Sequence, residues 1–217
     1  MGGDGNTDGN ADGSRRDIFT FGVPNGPEDE EPHAELLLMR WSHLSGAVSF
    51  FGEFDGHGGR AAVDFVSEKL GETIIRALDR LEEGEGKLEM AMRSGYLTTD
   101  REFLSQGLNS GACAATILLK DGELHIANVG DCKVVMSRNK EAKTLTVSHN
   151  PGTENERNRI ESLGGYVSCR NGTWRVQDSL AISRSIGDAN LKEWIISEPE
   201  TTSLNLTLRL RVSGIGF

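Results

Sequence analysis

Apolar residues recur with two different spacings between residues 50 and 106, and the two spacings predict a strand followed by two helices. Residues 50–54 are mostly aromatic and predict a buried strand, which leads into a glycine-rich turn at 55–59. A second helical pattern covers 87–106. The first helix is predicted from apolar residues three or four positions apart, before Gly84 and Gly86: Ala62, Val66, Leu70, Ile74, Leu78 and Leu81.

Residues 112–137 are rich in small and β-branched side chains and predict three strands. The first, 112–119, is followed by Asp121-Gly122, a strong signal for a two-residue hairpin. Strands at 124–129 and 133–137 complete the pattern. We therefore expect a three-stranded meander in this part of the chain.

A third helix is predicted to begin at Thr153. Glu156 stands three residues later and predicts a capping box, while Gly164-Gly165 predicts the end of the helix. The region 174–182 is again typical of a strand. The segment 33–49 is ambiguous, with a short apolar element around 36–41.

The first 32 residues differ from the rest in composition. They contain 7 of the 27 glycines, three prolines, and eight acidic residues against two basic ones. Such a segment buries too little apolar surface to offset its conformational entropy, so we predict a disordered acidic tail over 1–32. Residues 4–9 copy the first half of a calcium loop, but Arg15 replaces its bidentate Glu, which argues against calcium binding.

The whole chain of 217 residues carries a net charge of −10, with a pI near 5.0. This balance argues against nucleic acid or an anionic membrane as a partner through bulk charge. Apolar runs are short compared with the roughly 20 residues of a membrane span, so no membrane association is expected. The three widely spaced cysteines, Cys113, Cys132 and Cys169, are typical of reduced thiols and favour a cytoplasmic or nuclear location.

The turn Asp55-Gly56-His57-Gly58-Gly59 contains the most informative candidate chemistry. A carboxylate at the end of a buried strand, beside glycines that allow close approach of the backbone, presents oxygen atoms to a hard cation. Asp55 and the carbonyl of Gly56 could both bind such an ion, and His57 could transfer protons near neutral pH. The alternative is a strand-to-helix turn in which Asp55 caps the helix.

Asp131 and Asp188 each follow a glycine at the edge of a predicted strand or loop, and each alone is typical of a structural turn. Their order with other motifs is more specific. The series D-G-H-G-G, S-G-A-x-A, A-N-V-G-D-C, E-x-x-R-I-x-x-L-G-G, W-R-V and S-R-S-I-G-D resembles the PP2C (PPM) family of metal-dependent protein Ser/Thr phosphatases. The resemblance extends from residue 50 to about residue 200 and is greatest to plant members.

The resemblance implies an α+β fold, in which two antiparallel β-sheets pack as a sandwich flanked by helices. It also implies a pair of Mn²⁺ or Mg²⁺ ions whose bound hydroxide attacks phosphorus. On this basis Asp55 bridges both ions, Gly56 offers its carbonyl to one, and Asp131 belongs to a weaker third metal. His57 matches the family's proposed general acid, while Arg184 and Asp188 match positions taken as structural.

The chain departs from the family pattern at both ends, so we expect an incomplete fold. Upstream, Arg15, Arg16 and the acidic run 28–31 have the residue types of the family's phosphate-binding Arg and its acidic neighbour, without their pattern. Downstream, the family has two further metal-binding Asp residues, whereas no Asp follows Asp188 here. We therefore predict weak metal binding, unpaired sheet edges and lower stability and activity.

Glu53 stands where the family has an apolar residue. Strand alternation places Glu53 on the same face as Asp55, about 7 Å along the strand. It is either an outer-shell carboxylate of the metal site or a buried substitution that is tolerated through protonation.

The sequence as a whole thus predicts a disordered tail over 1–32, a partial PP2C-like phosphatase domain over 33–207 and a divergent end over 208–217. The expected function is hydrolysis of phosphoserine and phosphothreonine by a monomer that uses Mn²⁺ or Mg²⁺. The alternative is an inactive relative that binds phosphoproteins or protein kinases without hydrolysing them.

Overall fold

A computed structural model describes residues 17–22, 33–43, 46–138, 141–205 and 210–212. Three helices lie between or beside twelve strands in these ranges. The helices are α1 (Ala61–Arg80), α2 (Lys87–Leu104) and α3 (Glu154–Ser162). The strands are β1 (Asp17–Gly22), β2 (His33–His43), β3 (Gly46–His57), β4 (Gly111–Lys120), β5 (Glu123–Val129), β6 (Lys133–Arg138), β7 (Glu141–Thr144), β8 (Val167–Arg170), β9 (Thr173–Val176), β10 (Ile186–Gly187), β11 (Glu200–Asn205) and β12 (Leu210–Val212).

Two larger sheets and one hairpin contain these strands. The first sheet has the order β11-β5-β4-β3-β2, with β10 also paired to β4, and the second has the order β12-β1-β6-β7. Neighbouring strands are antiparallel except for β1 and β12, which are parallel. Strands β8 and β9 form the separate hairpin. The α+β class and the arrangement of two sheets with helices are confirmed.

The strand β6 does not continue the β4–β5 hairpin, so the predicted three-stranded meander is wrong. After β5 the chain crosses at residues 130–132 to the second sheet, where β6 pairs with β1 and β7. The β4–β5 hairpin itself is confirmed, with Asp121 and Gly122 both at positive φ, as its tight turn requires. An alternating pattern identifies a strand without identifying its neighbours.

Strand β4 separates two hydrophobic cores because its successive side chains point to opposite faces. On one face Ala112, Ala114 and Leu118 pack with α1 and α2 in the core that also contains Phe50 and Phe54. The opposite face forms the core between the sheets, whose members include Cys113, Ala115, Ile117, Ile126, Val134 and Met136. The strand and the site at its end are therefore supported from both sides.

Part of the predicted disordered tail forms a strand. Asp17–Gly22 is β1 and pairs with β6, so the prediction is wrong for these six residues. Backbone pairing to an existing sheet provides stabilisation that tail composition does not indicate. Other residues of 1–32, including Arg15 and the run 28–31, lie outside the described ranges, and the ambiguous segment around 36–41 lies within β2.

The predicted capping box of α3 is also wrong, although the helix lies where it was expected. Thr153 makes no side-chain bond to the helix, and its hydroxyl donates to the carbonyl oxygen of Asn150. Glu156 is buried and accepts from Arg184 and Arg159 instead. Charge-assisted hydrogen bonds from two guanidinium groups stabilise a buried carboxylate more than a single hydrogen bond from the N-terminal backbone of its own helix would.

Farther along the chain, β9 (Thr173–Val176) covers only residues 174–176 of the strand-like region 174–182. Among the described helices, none combines the length and the apolar character needed to cross a bilayer.

Helices α1 and α2 approach closely at Gly95, and this contact gives a stability prediction. A Cβ on Gly95 would stand 3.0 Å from the Cα of Ile74 and would overlap its side chain. We expect Gly95→Ala to lower the free energy of unfolding by about 1–3 kcal/mol, because the helices must separate. Chemical denaturation measures the change, with the exposed neighbour Ser94→Ala as the control; equal stability of both variants contradicts the prediction.

Candidate functional site

Three strands bring the candidate proton donor to one end of the first sheet. His57, the last residue of β3, lies opposite Gly111, the first residue of β4. Strand β5 ends its pairing with β4 at Ala114, and β10 occupies the next positions along that edge, with Gly187 opposite Gly111. His57, Gly111 and Gly187 therefore form one row across β3, β4 and β10.

Asp188, the next residue after β10, reaches across this row to His57. Its carboxylate oxygens lie 2.8 and 3.0 Å from Nε2 of His57. The contact passes over Gly111, where an added Cβ would overlap both the Asp188 carboxylate and His57 Nε2. Only glycine at residue 111 leaves room for this pair.

The backbone of Asp188 is held in the left-handed conformation, with φ 55° and ψ 50°. Its N–H donates to the carbonyl of Ser110 at 2.9 Å, and the hydroxyl of Ser185 donates to its carboxylate. The Ser110 hydroxyl also accepts the N–H of Ala62 at 3.0 Å in the first turn of α1. Ser110 thus connects Asp188 to the helix that follows His57.

The local charges favour the protonated form of His57. Burial alone would lower its pKa, but the hydrogen bond and charge of Asp188, with the charges of Asp55 and Asp131, raise the pKa above its usual value. Because Nε2 is bound to Asp188, Nδ1 is the ring nitrogen that remains to transfer a proton.

Asp55 and Asp131 lie near His57 on the side of β4 that faces the second sheet. Asp55 is opposite Cys113 in the β3–β4 register, and the Cys113 thiol donates to Asp131 at 3.3 Å. Side chains opposite each other on neighbouring strands share a face, so the two carboxylates approach the same end of the sandwich. His149 fixes the loop before Asp131 through the Gly130 N–H, which its Nδ1 accepts at 3.0 Å.

Glu53 is 8% exposed and lies on the same face of β3 as Asp55. Burial and the charge of Asp55 raise its pKa to about 7. This value supports the alternative in which protonation lowers the cost of burying Glu53. The assignment of Glu53 as an outer-shell carboxylate stays a prediction.

The oxygen atoms of Asp55, Gly56 and Asp131 suit a hard cation such as Mn²⁺ or Mg²⁺. Within the described ranges, however, no three His, Cys, Asp or Glu side chains converge closely enough to hold a metal ion. These residues therefore fit part of a metal site and do not complete one. Their assignment as ligands stays a prediction.

The contact between Asp188 and His57 is not predicted by the sequence analysis, which treats Asp188 as a structural residue. The S-G-A-x-A motif contained the signal, since its Gly111 is the gap that the pair needs and its Ser110 holds Asp188. The structural role of Arg184 agrees with its contacts: it donates to Glu156 at 2.6 Å and to the carbonyl of Glu198 at 3.0 Å.

The family model described as protein phosphatase 2C matches residues 30–210. The chain belongs to the protein phosphatase 2C family.

Curated plant relatives agree with this family. The chain is 52% identical over 164 residues to "Probable protein phosphatase 2C 74" of Oryza sativa subsp. japonica, covering 71% of this chain and 41% of that protein. It is 51% identical over 160 residues to "Probable protein phosphatase 2C 30" of Arabidopsis thaliana, covering 73% of this chain and 41% of that protein. The chain thus spans about two fifths of the length of these relatives.

Solved structures show the same fold. A serine-threonine phosphatase 2C from Toxoplasma gondii aligns with a TM-score of 0.68 and 18% identity, covering 82% of this chain and 70% of that one. A C. elegans sex-determining protein aligns with a TM-score of 0.73 and 24% identity, covering 87% of this chain and 48% of that one.

The gap at Gly111 gives a prediction for the His57–Asp188 pair. Gly111→Ala should separate the two side chains, so the contributions of Asp188 that raise the His57 pKa should weaken and this pKa should fall. An NMR titration of the His57 ring measures the change. Gly84→Ala, where a Cβ meets nothing within 4 Å, is the control; an unchanged His57 pKa in Gly111→Ala contradicts the geometry.

The raised pKa of Glu53 predicts a specific pH dependence of stability. Between the unfolded pKa of 4.5 and the folded pKa of about 7, the unfolded chain has lost the Glu53 proton while the folded chain keeps it, so rising pH favours unfolding. Glu53→Gln removes this effect and should stabilise the protein by about 2–3 kcal/mol at pH 8, with no gain at pH 4.

Denaturation of both proteins in chelating buffer at the two pH values measures this difference. The exposed Glu85→Gln serves as the control. A gain for Glu53→Gln that is equal at pH 4 and pH 8 rules out the titration of Glu53 as its cause.

Proposed function

We propose that this chain supplies the proton-donating side of a protein serine/threonine phosphatase site together with part of its metal-ligand set. The observation that supports this most directly is the contact of His57 with Asp188, which favours a protonated ring beside the carboxylates Asp55 and Asp131. Membership of the protein phosphatase 2C family supports phosphorylated proteins as the substrates.

In the proposed reaction, His57 acts as the general acid. The P–O bond to the Ser or Thr oxygen breaks, that oxygen takes the Nδ1 proton of His57, and water supplies the new oxygen on phosphorus. Asp188 holds Nε2, orients the ring and stabilises its protonated form before transfer. Solvent then returns the proton to Nδ1 of the half-buried His57.

Asp55, the Gly56 carbonyl and Asp131 would hold Mn²⁺ or Mg²⁺, together with ligands beyond those the described residues offer. The ions, when bound, supply Lewis-acid stabilisation of the phosphoryl oxygens. The arrangement of His57 and Asp188 does not depend on them, since strand pairing and hydrogen bonds fix it.

A second candidate function is the binding of phosphoproteins or protein kinases without hydrolysis. The incomplete convergence of acidic side chains in the described ranges favours it. Under either function we propose a monomer, located in the cytoplasm or nucleus because its widely spaced cysteines are typical of reduced thiols. The acidic balance of the sequence disfavours nucleic acid as a partner.

Turnover of two substrates tests the role of His57. With Mn²⁺ present, His57→Asn should lower kcat on a phosphothreonine peptide by about 10²–10⁴-fold. The same variant should change turnover of p-nitrophenyl phosphate far less, because p-nitrophenolate leaves without a proton. Asp55→Asn should reduce turnover of both substrates.

Equal losses on both substrates for His57→Asn contradict the general-acid role. Peptide binding by the wild-type chain in the absence of any turnover supports the second candidate function. The exposed Cys169→Ser, placed on the β8–β9 hairpin, is the control and should behave as wild type.

A further inference from the structure

A buried carboxylate on α2 holds the strand that presents Asp188. The side chain of Asp100 is 9% exposed and its Oδ1 accepts two hydrogen bonds. One comes from the backbone N–H of Gly187 and the other from Nζ of Lys192, each at 2.8 Å. Asp100 therefore contacts the residue immediately before Asp188.

Lys192 extends this contact to the other side of β10. Its Nζ donates to the carbonyl of Ser185 at 3.2 Å while it is paired with Asp100. The hydroxyl of Ser185 in turn contacts the Asp188 carboxylate. The Asp100–Lys192 pair thus binds the backbone on both sides of Ile186, at the Ser185 carbonyl and the Gly187 N–H.

The backbone that is held in this way is unfavourable without support. Gly187 has φ 92° and Asp188 has φ 55°, and the left-handed region is unfavourable for a residue other than glycine. A side chain at residue 187 would overlap the carbonyl of Ser110, so packing of a side chain cannot fix this residue. Its N–H is the group through which α2 can hold it.

We propose that Asp100 is a positioning residue for His57, which acts through Gly187 and Asp188, with Lys192 as its partner. The proposal rests on the proposed function only in that it treats His57 as the proton donor. Because Lys192 neutralises Asp100, the carboxylate acts by orientation rather than by adding charge at His57. Loss of the Gly187 contact lets Asp188 turn away from Nε2.

The exchange of the His57 Nε2–H proton with water, followed by NMR in chelating buffer, tests this proposal. In the wild-type chain the Asp188 carboxylate protects this proton. Asp100→Ala removes the acceptor of the Gly187 N–H and should speed exchange on the order of tenfold. Asp100→Asn keeps an amide oxygen at this position and should restore most of the protection.

Gly95→Ala is the matched control because it lies on the same helix and destabilises α2 without touching β10. All variants are compared well below their unfolding temperatures. Exchange in Asp100→Ala that equals exchange in Gly95→Ala overturns the proposal. A wild-type Nε2–H that exchanges as fast as that of a free imidazole also overturns it.

The readout does not need turnover, so it separates this proposal from the proposed function. If the chain hydrolyses phosphothreonine peptide, Asp100→Ala should lower kcat with KM unchanged, since orientation of the acid matters after substrate is bound. If the wild-type chain shows no turnover, the proposed function fails and the exchange result still decides the role of Asp100.

Discussion

The close approach of Asp188 to His57 across Gly111 is the constraint on which the site depends. Two side chains on alternate strands of a sheet can meet over the strand between them only if that strand offers no side chain, and glycine meets this requirement. The contact also needs β10 to occupy the edge of β4 where β5 has ended, and it needs Asp188 in the left-handed conformation. The hydrogen bonds that the Asp188 and Gly187 N–H groups donate to Ser110 and Asp100 meet that need, because an unfavourable backbone persists only where its surroundings determine it.

The same arrangement accounts for the electrostatics of the site. The hydrogen bond from His57 to Asp188, together with the charges of Asp188, Asp55 and Asp131, outweighs the effect of burial and raises the His57 pKa. At Glu53 burial and the charge of Asp55 act in the same direction, and together they raise its pKa to about 7. Two acids on one strand thus differ in character: Asp55 acts on its surroundings as a charge, whereas Glu53 keeps its proton up to about pH 7. This excess of negative potential at one end of the sandwich is the property that a hard cation would neutralise.

Much of the fold could be predicted because local patterns determine it. The apolar spacing of α1 and the Asp121-Gly122 turn gave elements close to those observed. Contacts between distant segments could not be read in this way. The placement of β6 in the second sheet depends on pairing with β1, whose composition resembles a tail. Glu156 binds Arg184, which lies 28 residues away in sequence, instead of capping its own helix. Gly111 acts through the side chain that it lacks, and this matters only once β3, β4 and β10 lie side by side.

The separation of His57 and Asp188 along the chain determines when, during folding, the His57–Asp188 pair can form. The two residues are 131 positions apart, and the pair requires β3, β4, β10 and the support of α2. Contacts of this sequence separation form after local hairpins and helices, because the entropy of closing the intervening loop must first be overcome. A chain that has folded only its hairpins or its α1–α2 unit has an ordinary histidine at residue 57. The imidazole therefore reports the completion of folding, and its chemistry appears only with the assembled domain.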